Sequence, residues 1–301
     1  MADAQGMLAP MPAQQLITPA VLQLVDLALE EDLGRGDVTS QAVISPTSTA
    51  VAHLVARQGL TVAGLGLAAA VFHRLDADIE VETLLSDGDE AKPGATVATY
   101  RGSATALLAG ERTALNFVQR LSGIATQTRK YVQAAQGSGL RITDTRKTTP
   151  GYRVLEKYAV RMGGGSNHRF DLGSGVLIKD NHLVVAGSVS QAIRQAKAHV
   201  PHSLKIEVEV DTLAQLDEAL AEGVDIVLLD NFSVEDLQKA LVAVRNAKVR
   251  PLIEVSGGVT LARIPELARL GVDLVSVGAL THSALAVDLA LDMEIASTPR
   301  P

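Results

Sequence analysis

The run Thr143-Asp144-Thr145-Arg146-Lys147-Thr148-Thr149-Pro150-Gly151 leaves an apolar segment and sets two cations among hydroxyls before a Pro-Gly turn. An Arg fork grips a carboxylate or phosphate through two bonds, and Lys acts as a point charge. A lone Arg-Lys pair is more often a solvated loop, but here a second cationic loop follows, Gly163-Gly164-Gly165-Ser166-Asn167-His168-Arg169. Three successive glycines fit a chain that must approach something closely. His168 and Arg169 supply donors there, although such loops are also commonly just flexible. Lys179 ends the apolar run Leu177-Ile178, where an unpaired ammonium is too costly to be core.

Glu209 and Asp230 close two further apolar runs, Ile206 to Val210 and Leu228 to Asp230. Two carboxylates at strand ends can hold Mg²⁺ beside a phosphate or bond sugar hydroxyls. Alternation points Glu207 and Glu209 the same way, and Glu209 is chosen as nearer the carboxyl end. Ser256-Gly257-Gly258 and Val277-Gly278-Ala279 follow the last two runs. Small residues there would offer backbone N–H groups to phosphate, against the plainer reading of a tight strand-to-helix turn. Gly64-Leu65-Gly66 only faintly resembles a dinucleotide fingerprint, lacks the following βαβ context, and reads as packing between strand and helix.

The elements that must position these residues are readable. Thr18-Pro19 starts a helix carrying Val21, Leu22, Val25 and Leu29, and Gly34 stops it. From about residue 50 to 100, short strands alternate with turns such as Ser86-Asp87-Gly88-Asp89 and Lys92-Pro93-Gly94. A long helical stretch follows over 104–136, expected to break near Ser122-Gly123. After Gly139 the pattern alternates, with strands expected at Arg141–Asp144, Val176–Lys179, Lys205–Val210, Asp225–Leu229, Leu252–Val255 and Leu274–Val277. Thr212, Ser233 and about Leu261 open helices between them. Such β-then-α units need parallel connections, so the choice is a doubly wound sheet or a barrel. Asp144, Lys179, Glu209, Asp230 and Ser256 all close their runs at the same end, which fits the mouth of a ring. The expectation is an α/β fold: a TIM-like α/β barrel over 116–280, an α+β domain over 18–115 joined by 281–301, and a disordered tail over 1–17.

Bulk composition narrows the partners. The 301 residues are 47% hydrophobic, 3% aromatic without Trp, and carry a formal net charge of -7. Nucleic-acid binders show a basic face or stacking platforms, so no nucleic acid is expected. The longest near-apolar run, Val62 to Phe72, is short for a membrane span, and residues 1–15 do not read as a secretory signal. With no Cys, disulfides and thiolate chemistry are excluded; a cytoplasmic enzyme is expected.

Together these segments resemble the quinolinate phosphoribosyltransferases, the carboxylating nicotinate-nucleotide pyrophosphorylases. The resemblance rests on Glu111-Arg112-Thr113-Ala114-Leu115-Asn116, Thr145 through Gly151, Gly163 through Arg169, Leu177 through His182, Leu228 through Phe232, and Ser256-Gly257-Gly258. It implies an N-terminal α/β sandwich, an open seven-stranded barrel, and a homodimer in which Arg112 enters the partner's site. It implies that Arg146, His168, Arg169 and Lys179 bind the two carboxylates of quinolinate. Lys147, Glu209, Asp230 and the glycine-bearing turns Ser256, Gly257, Gly258 and Val277, Gly278, Ala279 would engage phosphoribosyl pyrophosphate, with Mg²⁺ on Glu209 and Asp230, and Thr145 would be a further substrate-binding residue. Lys147, Lys179, Glu209 and Asp230 would carry the chemistry, one step of de novo NAD biosynthesis. Beyond Arg169 the family pattern leads one to expect a Gly and then an Asp, where this chain has Asp171 and Ser174. Three other readings stand beside this one: a Schiff-base lyase with Lys179 as nucleophile, a phosphoribosyltransferase for another acidic heterocycle, and a non-catalytic anion-binding protein.

Overall fold

The structure, a computed structural model, describes residues 16–295. The expected tail therefore lies mostly outside the described residues, and Leu16 is buried. Two compact units divide the chain. The first takes described residues 16–129, 149–164 and 283–295; the second takes 130–148 and 165–282.

Helix α1 (Pro19–Leu33) begins where the Thr18 hydroxyl accepts the Val21 N–H, and it buries Val21, Val25 and Leu29. Asp37 caps the short α2 (Val38–Val43). Then come β1 (Thr49–Ala56), β2 (Leu60–Thr61), α3 (Leu65–Leu75), β3 (Glu80–Thr83), β4 (Glu90–Ala91), β5 (Thr96–Ser103) and α4 (Ala104–Ala134). Gly64 precedes α3 at φ 101°, and the Asp87 carboxylate accepts the N–H groups of Gly64 and Leu65 at 2.9 and 3.2 Å. An acidic side chain thus fills the helix start that a dinucleotide phosphate would need.

The expected break at Ser122-Gly123 is corrected: α4 is continuous. Ser122 Oγ accepts the Ala63 N–H at 3.0 Å, and a Cβ on Gly123 would sit 2.1 Å from the Leu285 carbonyl oxygen. The glycine serves close packing rather than a turn.

The rest of the chain runs β6 (Arg141–Thr143), α5 (Arg153–Met162), β7 (Val176–Ile178), α6 (Asp180–Ala186), α7 (Val189–His199), β8 (Ile206–Val210), α8 (Leu213–Glu222), β9 (Ile226–Asp230), α9 (Val234–Arg245), β10 (Leu252–Ser256), α10 (Ile264–Leu270), β11 (Leu274–Ser276), α11 (Ala279–His282) and β12 (Leu289–Ile295). Thr212 and Gln215 form a capping box on α8, and Ser233 Oγ accepts the Asp236 N–H on α9. Gly223 and Gly271 end their helices in the left-handed region, at φ 64° and 81°.

The first unit holds an antiparallel sheet of order β12-β1-β5-β3 and a small β2-β4 pair. The second holds a six-stranded parallel sheet of order β6-β11-β10-β9-β8-β7. All six strands expected after Gly139 are present. A seventh is reduced, among the described residues, to one bridge between Thr143 and Ser166.

Candidate active site

Strand register decides which side chains share a face. Leu177 pairs with Glu207, Glu209 with Leu228, Leu228 with Glu254, and Asp230 with Ser256. Side chains alternate along a strand, so Glu207, Glu209, Asp230, Glu254 and Ser256 project from one face of the sheet. Lys179 follows β7 on the same alternation. Its Nζ donates to Glu209 Oε2 at 2.6 Å, and its N–H donates to His182 Nδ1 at 2.9 Å. The Lys179 side chain is 44% exposed, whereas that of Glu209 is 12% exposed, so the ammonium faces outward over an acid tucked beneath it.

The Gly-rich loop docks on the end of β6. Ser166 donates to Ile142 O at 2.8 Å, and Asp144, fully buried, accepts from Asn167 Nδ2 and from the His168 N–H. His168 Nδ1 accepts the Arg169 N–H at 2.8 Å, and its Nε2 lies 3.2 Å from Glu207 Oε2 and 3.6 Å from Glu254 Oε1. Arg169 Nη1 donates to Gly175 O at 3.0 Å, while its buried Nε has no hydrogen-bond partner among the described residues. Burial and the neighbouring Arg146 charge hold the Arg169 guanidinium below its ordinary pKa, with Glu207 pulling the other way. The two guanidinium groups are thus close enough to repel each other. Burial and the Glu207 charge push the Glu254 carboxyl up to about 7; His168, Ser276 and Lys179 oppose the rise.

The remaining candidates form the turns beyond the strands. Thr145 Oγ1 accepts the Lys147 N–H at 3.0 Å, and Lys147 O accepts the Thr281 hydroxyl at 2.7 Å. Gly278 lets Lys147 lie close, since a Cβ there would be 3.2 Å from Lys147 Cδ. Asn231 holds φ 54° beside Asp230 and donates its Nδ2 to the Asp230 carboxylate at 2.6 Å. Gly257, at φ 88°, passes so near that a Cβ would meet Asn231 Oδ1 at 2.1 Å; Gly258 has φ 56°. Val277 is buried and its N–H donates to Thr143 O at 2.9 Å, so that donor belongs to the sheet. Ala279 begins α11, and Arg112 is exposed on α4 in the first unit. In the loop where the sequence departs from the family pattern, Asp171 Oδ1 accepts from the Gly173 N–H and the Ser174 hydroxyl. The new pair bonds to itself.

Sequence reasoning left Glu207 undecided and missed Glu254. The structure answers that both Glu207 and Glu209 face the site: Glu209 meets Lys179, and Glu207 sits deeper against His168. A Glu inside an apolar parallel strand is the signal that was present, because such a position demands a partner.

Sequence profiles of the quinolinate phosphoribosyl transferase N-terminal and C-terminal domains match residues 37–122 and 124–292. The chain belongs to this family. It is 42% identical over 268 residues to the probable nicotinate-nucleotide pyrophosphorylase [carboxylating] of Bacillus subtilis, covering 89% of this chain and 91% of that protein. Against the human nicotinate-nucleotide pyrophosphorylase [carboxylating] it is 38% identical over 303 residues, covering 99% of both. The crystal structure of NadC from Streptococcus pyogenes superposes with a TM-score of 0.89 at 40% identity, covering 93% of this chain and 99% of that one. The family's α/β architecture, one parallel and one antiparallel sheet, is thus common to this chain and to solved relatives. Among the described residues, no helix is long and apolar enough to cross a membrane.

Proposed function

We propose that the chain transfers the phosphoribosyl group of phosphoribosyl pyrophosphate to quinolinate with decarboxylation. The products are nicotinate mononucleotide, pyrophosphate and CO₂, a step of de novo NAD biosynthesis. The observation that carries this reading is the electrostatic grouping of Arg146 and Arg169 in the same cluster as Lys179, beside the acids of β8 and β10. A dianionic pyridine and a polyphosphorylated sugar repel each other, and fixed cations are what bring them together.

In this reading Arg146, Arg169 and Lys179 hold the two carboxylates, and Lys147 with the turns at Ser256 to Gly258 and Gly278 to Ala279 hold the phosphates. The ring nitrogen attacks the anomeric carbon as pyrophosphate leaves. Glu209 and Asp230 lie beside the ribose and stabilise the oxocarbenium-like charge. The carboxylate next to the new N-glycosidic bond then departs as CO₂, the electron pair left on the ring carbon being stabilised by the adjacent cationic nitrogen until that carbon takes a proton from solvent. Glu209 and Asp230 are hard oxygen donors on one sheet face, and Lys179 occupies only one Glu209 oxygen, so the pair suits Mg²⁺. Bound there, Mg²⁺ supplies charge to the leaving pyrophosphate.

We further propose that the parallel sheet curls into an open barrel. Its first strand, β6, lies beside its last, β11, while β7 through β11 are neighbours in chain order, and the right-handed crossovers that such parallel strands require would put the helices on one side. The Ser166 bridge stands where a seventh strand would extend it. The active unit is a homodimer in which Arg112 reaches the partner's site. We place the reaction in the cytoplasm, in keeping with a chain without cysteine.

The Schiff-base alternative is disfavoured because Lys179 Nζ is ion-paired at 2.6 Å, and a paired ammonium has no lone pair to attack with. Release of CO₂ and pyrophosphate from quinolinate, compared with nicotinate, tests the assignment. Preference for nicotinate, or binding without pyrophosphate release, refutes it.

A further inference from the structure

We propose that Glu156 and Arg120 are positioning residues for the first cationic loop: together they hold Thr149 and, through it, steady the stretch of chain that presents Arg146 and Lys147. The consequence for activity rests on the quinolinate reading, whereas the anchorage itself does not. Glu156 stands in the first turn of α5 and is fully buried. A carboxylate at such depth is destabilising unless it is paired and its oxygens are hydrogen-bonded. Arg120 Nη2, from α4, donates to Glu156 Oε1 at 2.8 Å, and the Thr149 hydroxyl donates to the same oxygen at 2.9 Å. Glu156 Oε2 accepts the Thr149 N–H at 3.1 Å. Arg120 is itself held, because its Nη1 donates to Ala284 O at 2.8 Å. Thr149 is an exposed loop residue, yet it gives both its donors to this buried acid. Releasing it would leave the acid short of partners, so the end of the loop is tied more firmly than its exposure suggests.

The turn beyond Thr149 is built to match. Thr149-Pro150-Gly151-Tyr152 has the composition of a type II turn. Gly151 takes φ 81°, and the Tyr152 N–H donates to Thr149 O at 3.0 Å. Tyr152 stacks on Phe117, ring centroids 6.0 Å apart, and Phe117 lies one turn of α4 before Arg120. Phe117, Arg120, Thr149, Tyr152 and Glu156 all belong to the first unit, which the chain enters at Thr149. Only Thr148 separates Thr149 from Lys147. Lys147 is tied on its own side, where its carbonyl oxygen accepts the Thr281 hydroxyl at 2.7 Å. A short stretch tied on both sides loses less freedom when it closes on an anion, which favours binding without adding a contact.

A Glu156 that served only α5 would behave differently. Lost stability lowers the folded fraction, and with it the apparent kcat, but leaves KM unchanged; lost positioning raises KM. The test is steady-state kinetics and amide hydrogen exchange on the full-length protein carrying Thr149→Val, Thr149→Ser or Glu156→Gln. Thr149→Val keeps the shape of the side chain without its hydroxyl. It should raise the KM for quinolinate and for phosphoribosyl pyrophosphate about three- to tenfold, with kcat changed much less. Thr149→Ser, which keeps the hydroxyl, should recover most of that loss. Glu156→Gln, which also loses the charge that holds Arg120, should raise both KM values further. In Thr149→Val and Glu156→Gln, peptides covering residues 144–152 should exchange faster than in the wild type. Unchanged KM values in Thr149→Val, a fall in kcat alone, equal loss in Thr149→Ser, or unchanged exchange would each overturn the proposal. If Glu156→Gln does not fold, the two Thr149 variants decide the matter alone. Should the protein not turn over quinolinate at all, the functional reading fails, while the exchange of residues 144–152 still reports whether Glu156 holds the loop.

Discussion

Lys179 and Glu209 meet across two adjacent parallel strands, with Nζ and Oε2 2.6 Å apart, the ammonium facing outward and the carboxylate largely covered. A cation held from below cannot fold back onto the surface, and it presents its remaining donors to whatever enters. The same pairing keeps Glu209 from standing alone as a buried charge.

Replacing Lys179 or Arg146 by Ala should therefore cut kcat/KM for quinolinate by about ten- to a hundredfold per lost charge-assisted bond, with the fold retained. Steady-state kinetics beside a thermal unfolding curve checks this. Wild-type kinetics in either variant would remove that residue from the site.

Gly278→Ala should raise the KM for phosphoribosyl pyrophosphate while changing that for quinolinate less. The new Cβ lies 3.2 Å from Lys147 Cδ and 3.1 Å from His282 Nε2, so Lys147 must move. Equal changes in the two KM values would point to general disruption instead.

Mixing Arg112→Ala subunits with Lys179→Ala subunits should restore part of the activity, because a hybrid dimer holds one site with both residues. Activity no greater than that of the separate variants would argue against sharing across the interface.

Glu254 carries a pH signature. Its folded pKa, about 7, lies above the ordinary carboxyl value of 4.5, so between these values the folded state binds more protons than the unfolded one. The Glu254 contribution to stability is therefore full below about 4.5 and lost as pH rises through about 7. Glu254→Gln should flatten this slope and melt higher than wild type at about pH 8. Thermal unfolding across that range decides it, and an unchanged slope would show that Glu254 is not the group responsible.

Much of this arrangement could be read from the chain. The paired sequences Gly223-Val224-Asp225 and Gly271-Val272-Asp273 announce a helix stop feeding a buried strand, and β9 and β11 follow them. Lys179 was singled out because a cation at the end of an apolar run has no core role, and Arg146 and Arg169 because two cationic loops follow one another. Glu254 escaped because alternation does not say which face of a doubly covered strand is apolar; only the register with Leu228 sets it beside β8's acids. Gly123 was misread for a related reason. A glycine that admits a neighbouring carbonyl oxygen and one that ends a helix look alike until the neighbour, here Leu285, is known.

The pairing of β1 with β12, and of β6 with β11, ties early residues to late ones in each sheet: Ala50 lies opposite Ile295, and Thr143 opposite Ser276. During synthesis neither sheet can be completed until these last strands have left the ribosome. Until then β1 and β6 each lack one neighbour, and the nascent chain carries open apolar edges for most of its translation. Long-range closure of this kind slows folding, so yield in a heterologous host should depend more on translation speed and chaperone supply than on the stability of the finished protein.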